Sequence, residues 1–192
     1  MTGESLFLPK KIACREVIYE DRSVFSRQWI VIAQIDEALL TPAFLVESYM
    51  AFIRKCTLSL VKPVQNSGKT AFVLFCTSLP LLIFSGPEFS GNDRSQTAAL
   101  RIEGGLLVQR NECGKGMLSF IIEVVEEGTL VAVQVCDYCP LILGGRKPSK
   151  IRKWLYLGTQ ALIHKIITSR FLDHLYRQLE SCKGSSSNSG VR

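Results

Sequence analysis

The chain has 192 residues, of which 47% are hydrophobic and 21% are charged, and its formal net charge is +6. This length and composition are typical of one folded globular domain, and they exclude a largely disordered chain. The last ten residues, 183–192, are small and polar, and they predict a flexible tail.

The cysteines and the amino terminus bear on the compartment. The chain has seven cysteines at irregular spacing, and several lie in apolar runs, where reduced cysteine behaves as a small hydrophobic residue. This usage favours a reducing compartment. The first 22 residues lack the basic segment and apolar stretch of a secretory signal. We therefore expect a cytoplasmic protein whose residues 1–25 form an amino-terminal extension.

The first predicted elements are a strand and a short helix. Residues 26–35, SRQWIVIAQI, have the composition of a strand. Thr41 and Pro42 then predict the start of a helix that runs to about Lys55, with threonine as the N-cap and proline at the first helical position.

The next segment combines a phosphate-loop-like motif with a long apolar run. Residues 63–70, PVQNSGKT, lie one substitution from a phosphate-binding loop, but Pro63 stands where that loop needs a glycine. We read QNSGK as a hairpin turn instead. Residues 70–87 carry no charge and approach the length of a membrane span, but Pro80 favours two buried strands joined by a kink. Both alternatives for this run stay open.

A run of strands is predicted from residue 97 to residue 138. Short apolar runs alternate there with glycine-containing turns, as in an antiparallel meander. The four predicted strands are TAALRI, LLVQR, MLSFIIEVV and TLVAVQVCDY. Alternation places two sets of side chains toward the core, namely Leu118, Phe120, Ile122 and Val124 on one strand, and Val131, Val133 and Val135 on the next.

A long helix is predicted to begin at Pro148 and to end near Ser181. Apolar residues recur in it at helical spacing, namely Trp154, Ala161, Leu162, Ile166, Leu172, Leu175 and Leu179. Such a helix needs an apolar surface, which the uncovered face of the sheet supplies. The sequence therefore predicts a two-layer α+β arrangement.

This order of elements, over about residues 27–180, resembles the helix-grip fold of the START and Bet v 1-like superfamily (SRPBCC), which includes polyketide cyclase-like proteins. The resemblance implies a curved antiparallel sheet of about seven strands packed on the long C-terminal helix, as one domain over 26–182. It also implies a cavity between the sheet and this helix, used in the superfamily to bind lipids, sterols and other hydrophobic molecules. In some members the cavity catalyses cyclisation.

We therefore expect the protein to bind a hydrophobic or amphipathic small molecule, without a cofactor. The residues predicted to line its cavity are Leu118, Phe120, Ile122, Val131, Val133, Trp154 and Leu162. An ordinary packed core is the alternative interpretation of these positions. A second hypothesis is a cyclase-like or hydrolase-like enzyme on the same fold. Its acid or base would be His164 or Glu103, although the superfamily has no universal catalytic residues and these roles stay unassigned.

A third hypothesis uses the basic start of the last predicted helix. Five cations precede Trp154 in the segment GRKPSKIRK, namely Arg146, Lys147, Lys150, Arg152 and Lys153. Cations at a helix amino terminus oppose the helix dipole, which favours a role in binding an anionic membrane surface. A solvated helix start is the alternative. Nucleic acid is disfavoured as a partner, because no recognition motif accompanies the charge.

The Cys136-x-x-Cys139 pair resembles a redox or metal motif. A redox pair lies at a helix amino terminus, whereas this pair closes a predicted strand. A structural zinc site needs two further ligands at matching spacing, and the sequence does not offer them. We therefore expect free cysteines and no metal.

Overall fold

The computed structural model describes residues 12–33, 40–75, 77, 79–109, 115–143 and 162–186, apart from the side chains of 162 and 181–186. These residues form nine strands, two α-helices and a short 3₁₀ helix. In chain order the elements are β1 (Ala13–Ile18), β2 (Val24–Ile32), α1 (Pro42–Cys56), β3 (Val61–Asn66), β4 (Lys69–Leu74), β5 (Leu79–Phe84), β6 (Glu88–Gly91), β7 (Ser95–Gly104), β8 (Met117–Val125), β9 (Gly128–Tyr138), the 3₁₀ helix (Leu141–Leu143) and α2 (Leu162–Ser186).

The strands form one curved antiparallel sheet in the order β1-β2-β9-β8-β7-β5-β4-β3, and β6 pairs with β7. After β2, α1 carries the chain to the opposite edge of the sheet. The next strands return across the sheet until β9 pairs with β2. This α+β arrangement is consistent with a helix-grip fold.

The sheet has more strands than the sequence predicts. Strand β1 pairs with β2 from Ala13↔Trp29 to Ile18↔Val24, within the segment assigned to an amino-terminal extension. Strand β6 pairs with β7 beside β5. At the other end of the chain, α2 continues to Ser186, past the predicted start of the tail at residue 183. The sheet and the last helix therefore extend beyond the predicted domain boundaries of 26–182.

The predicted start of α1 is confirmed. The Phe44 amide donates a hydrogen bond to the Thr41 hydroxyl at 3.2 Å, and Pro42 occupies the first turn, where its missing amide hydrogen costs nothing. Leu45, Tyr49 and Ile53 are buried on the face of α1 that packs on the sheet. The cap therefore positions a helix whose inner face closes over the sheet.

The uncharged segment 70–87 forms strands β4 and β5, with Thr70 opposite Phe84. The described residues contain no helix that is long and apolar enough to cross a membrane. The motif at 63–70 is a hairpin between β3 and β4, and its two turn residues, Ser67 and Gly68, have φ values of 49° and 77°. Positive φ at both positions is typical of a type I′ turn. The hairpin interpretation is confirmed.

One predicted strand is wrong. In the run LLVQR, residues 106–109 form a connection, where Val108 makes only an isolated bridge with Pro140, and β7 pairs directly with β8. Gly105 explains the change of direction, since its φ is 120° and an added Cβ would lie 2.4 Å from the Leu81 carbonyl oxygen. The close approach turns the chain out of the β7 direction.

The core lies between the sheet and the two helices. Tyr49 of α1 makes edge-to-face contacts with Phe120 of β8 and Phe171 of α2, each with ring centres 5.1 Å apart. The buried residues of α2 are Thr168, Phe171, Leu172, Leu175 and Leu179, whereas Ile166 is 42% exposed. The predicted start of this helix at Pro148 lies outside the described residues. The three rings join both helices to the sheet.

Candidate functional site: an apolar cavity

A cavity of about 340 Å³ lies between the concave face of the sheet and the two helices. Its wall comes from α1, α2, the 3₁₀ helix and every strand except β6, and most of the wall is aliphatic or aromatic. The apolar wall includes Val24, Ile53, Val61, Phe72, Leu82, Phe84, Ile102, Leu118, Val135, Ile142 and Ile167.

Only part of the predicted lining faces this cavity. Leu118 lines it, whereas Phe120 is fully buried between β8 and Tyr49 and is not part of the wall. Val131 and Val133 are likewise fully buried in the core. Phe171 and Tyr49 fill the space above this half of the sheet. The cavity lies over the other half of the sheet. Residues on the same face of one strand can therefore lie either in the packed core or at the cavity wall.

The remaining predicted lining residues lie away from the cavity or outside the described part of the chain. Ile122 faces a separate small hollow beside Leu40 and Thr129. Leu162 is the first residue of α2, and its side chain lies outside the described residues. Trp154 and the five basic residues at 146–153 lie outside them as well. Membrane binding by these cations therefore stays a prediction.

His164 brings an imidazole ring to the wall of the cavity. It lies in the first turn of α2, and its Nε2 atom is buried with no hydrogen-bond partner among the described residues. The residue as a whole is half-buried, but its Nε2 atom is buried. Burial lowers the pKa of His164 to about 4, because the imidazolium would lose its hydration. The imidazole is therefore neutral at pH 7.

Tyr49 is a second polar group of the cavity, and sequence reasoning did not select it. It lines the cavity and is only 3% exposed. Burial raises the pKa of Tyr49 to about 12, although Thr168 beside its hydroxyl acts in the opposite direction, so the phenol keeps its proton at neutral pH. A tyrosine on the apolar face of a predicted helix was the signal that could have revealed it.

The other polar side chains of the wall have structural partners. The Tyr138 hydroxyl donates to the Leu107 carbonyl oxygen at 2.8 Å. The Thr57 hydroxyl donates to the Ile53 carbonyl oxygen at 2.8 Å and accepts from the Val61 amide at 3.2 Å. These bonds fix the wall rather than present free groups to a ligand.

Charge is confined to the mouth of the cavity. Glu16 lies at the edge of the wall and is exposed, as is Ile163, which is 58% exposed. The described wall contains no lysine or arginine. The Ser26 hydroxyl lies 3.5 Å from Glu16 and accepts a hydrogen bond from the Gln28 amide at 2.8 Å. The interior is therefore apolar and uncharged.

Two other sequence candidates lie elsewhere. Glu103 forms an ion pair with Lys69 at 2.7 Å and does not line the cavity. Within the described residues, neither Cys136 nor Cys139 is in a disulfide, and burial raises the pKa of the Cys136 thiol, which disfavours the reactive thiolate. The described residues contain no group of three or more side chains arranged to bind a metal ion. Of the two proposed acid-base residues, His164 alone meets the cavity.

Comparisons with known proteins add little to this geometry. No protein-family model matches the chain, and a search of curated proteins gives no significant match. Among solved structures, the chain is similar to CalU16 from Micromonospora echinospora, with 11% sequence identity over 93% of this chain and 96% of that one. The TM-score is 0.34, so this similarity supports no statement about the site. Function is therefore inferred from the strand order and the cavity.

Proposed function

We propose that the protein binds a neutral, largely apolar small molecule in the cavity between the sheet and α2. The observation that carries this proposal is an apolar cavity of about 340 Å³ whose inner polar groups are uncharged at neutral pH. Small-molecule sites typically span about 300–1,000 Å³ and combine apolar walls with few polar groups. The volume and the lining both match such a site.

The charge of the ligand is limited by the wall. A buried carboxylate or ammonium group without a partner loses its hydration at a cost of several kcal/mol. No described lining residue supplies a cation, and Glu16 supplies its charge only at the mouth. A neutral ligand avoids this cost. Its affinity would come from apolar contact, at about 0.8 kcal/mol for each methylene group removed from water.

The orientation of the ligand depends on the inner polar groups. The Nε2 atom of His164 can form one hydrogen bond with the ligand. Depending on the tautomer, it accepts from a ligand hydroxyl group or donates to a ligand carbonyl group. The Tyr49 phenol lines the same cavity and keeps its proton. A ligand with an apolar body and one uncharged polar group, such as an alcohol, ketone or ester, would pack on the apolar wall and reach these inner polar groups.

Uptake of a neutral fluorophore tests the proposal. N-Phenyl-1-naphthylamine should gain fluorescence with the wild type at one equivalent. Val135→Phe, which places a larger side chain in the cavity, should weaken this uptake by at least about tenfold, the scale of a lost apolar contact. Val31→Phe is the matched control, since Val31 lies on β2 and is 39% exposed. Equal uptake by Val135→Phe and wild type, with both folded, would contradict the proposed site.

A further inference from the structure

A group of exposed apolar side chains lies at one end of the sheet. Leu58 and Leu60 are in the connection from α1 to β3, and Phe75 and Leu79 are at the turn from β4 to β5. Their exposed fractions are 88%, 55%, 59% and 40%. The Phe75 amide donates to the Leu60 carbonyl oxygen at 2.9 Å, which joins the two segments. We call these four residues the apolar tip.

The apolar tip is held by a turn with a defined backbone conformation and side-chain hydrogen bonds. Leu58 and Ser59 have φ values of 51° and 64°, a left-handed conformation that is unfavourable for residues with a side chain. The Thr57 hydroxyl ties the last turn of α1 to the start of β3. Leu58 gains no packing in return, since it is 88% exposed. A strained turn that projects a leucine into water is typical of a contact surface.

Cations flank the apolar tip along the chain, and acidic residues are absent from its segment. Residues 48–87 contain no aspartate or glutamate, but they contain Arg54, Lys55, Lys62 and Lys69. Lys69 is paired with Glu103. Arg54 and Lys55 are exposed in the last turn of α1. The Lys62 Nζ atom lies 3.8 Å from the centre of the Phe75 ring. The described part of the tip therefore combines exposed apolar side chains with cations on the adjoining turn and strand.

We propose that the apolar tip inserts into the headgroup region of an anionic lipid bilayer, with Arg54, Lys55 and Lys62 against the lipid headgroups. Apolar side chains beside cations bind such surfaces through area burial and attraction to negative lipids. A second copy of the chain fits less well, because a two-fold contact would bring the same cations together. In the sequence, this surface is separate from the basic segment at 146–153.

The position of the apolar tip relates it to the cavity. Ile53, Thr57 and Val61 line the cavity and flank the turn that carries Leu58 and Leu60. A bilayer bound at the tip therefore lies beside the cavity wall. Membrane binding does not depend on a filled cavity, so vesicle binding by the Val135→Phe variant should equal that of the wild type.

Flotation with vesicles tests the proposal. The wild type should bind vesicles of phosphatidylcholine with about 30% phosphatidylserine, and binding should fall as salt screens the attraction. Phe75→Ser should lower binding by about tenfold, because it removes an inserted ring. Phe89→Ser is the matched control, since Phe89 is 57% exposed on β6, and it should bind like the wild type.

Two double variants that remove positive charge separate the electrostatic contribution to vesicle binding from the apolar one. Arg54→Gln with Lys55→Gln should lower binding by about fivefold for each charge removed, whereas Arg94→Gln with Lys165→Gln should leave it unchanged. If Phe75→Ser does not fold, Leu58→Ser takes its place, with Leu141→Ser as its control. Equal binding by tip and control variants would overturn the proposal. The proposal would also be overturned if the wild type did not bind these vesicles, or if it formed a dimer that the Phe75→Ser substitution dissociated.

Discussion

The buried imidazole of His164 should make the stability of the fold depend on pH. Its pKa is lowered from 6.5 to about 4 by burial. In the unfolded chain the same group has its ordinary pKa. As the pH falls, the unfolded chain therefore binds a proton before the folded chain does, and this proton binding favours unfolding. The contribution of His164 to stability is therefore present at pH 7 and is lost as the pH falls from about 6.5 to about 4.

The size of this effect is set by the two pKa values. At pH 5 the unfolded chain is almost fully protonated at His164, whereas the folded chain is mostly neutral there. This difference lowers the free energy of unfolding by about 2 kcal/mol at pH 5 relative to pH 7. Partial exposure of the residue makes this figure an upper limit.

Urea unfolding at pH 7 and pH 5 measures the effect in the wild type and in His164→Gln. The loss of stability between the two pH values should be smaller in the variant by up to about 2 kcal/mol. Ile163→Gln, an exposed neighbour in the same helical turn, should keep the wild-type loss. An identical loss in His164→Gln and wild type would refute a buried, neutral imidazole.

Two further predictions concern the frame of the cavity. Phe120→Ala should lower the free energy of unfolding by about 3–5 kcal/mol, because Phe120 is fully buried against Tyr49. In the same denaturation assay Val124→Ala, 44% exposed on the same strand, should cost less than about 1 kcal/mol, and similar costs would contradict the assignment of Phe120 to the core. Gly105→Ala should destabilise the protein more than Gly68→Ala, since both have positive φ but only Gly105 faces a backbone oxygen at 2.4 Å. Equal thermal midpoints of these two variants would show that position 105, directly after β7, tolerates a side chain.

Local chemistry made several elements predictable. Thr41 and Pro42 act within one helical turn, so the start of α1 needs no tertiary information. The hairpin at Ser67 and Gly68 is predictable from turn chemistry in the same way. The alternation on β8 and β9 correctly assigned the inward face at Leu118, Phe120 and Ile122 and at Val131, Val133 and Val135. Val124 is exposed because this face runs past the end of the core.

The cavity lining depends on contacts that the sequence pattern does not contain. Leu118 and Phe120 lie two residues apart on one face, but only Leu118 meets the cavity. The difference comes from Tyr49 and Phe171, which reach the sheet from two distant helices. Phe120 is therefore a poor position for testing ligand uptake, since a polar replacement there would disrupt the core.

The loop after β7 shows the same limit. LLVQR has the composition of a strand, but the contact between Gly105 and Leu81 removes it from the sheet. In contrast, β1 is weakly apolar, with three consecutive exposed residues, Cys14, Arg15 and Glu16, and it forms because the edge of β2 is available for pairing. Tertiary contacts override composition in both cases.

Native mass spectrometry with two ligands of the same chain length tests the central claim most directly. The wild type would be incubated at pH 7.4 with 1-dodecanol or with dodecanoate, alongside the Val135→Phe variant. An uncharged interior predicts a one-to-one adduct of the wild type with dodecanol, little adduct with dodecanoate, and little adduct of Val135→Phe with either. Preferential binding of dodecanoate, or equal dodecanol binding by the wild type and Val135→Phe, would contradict the account.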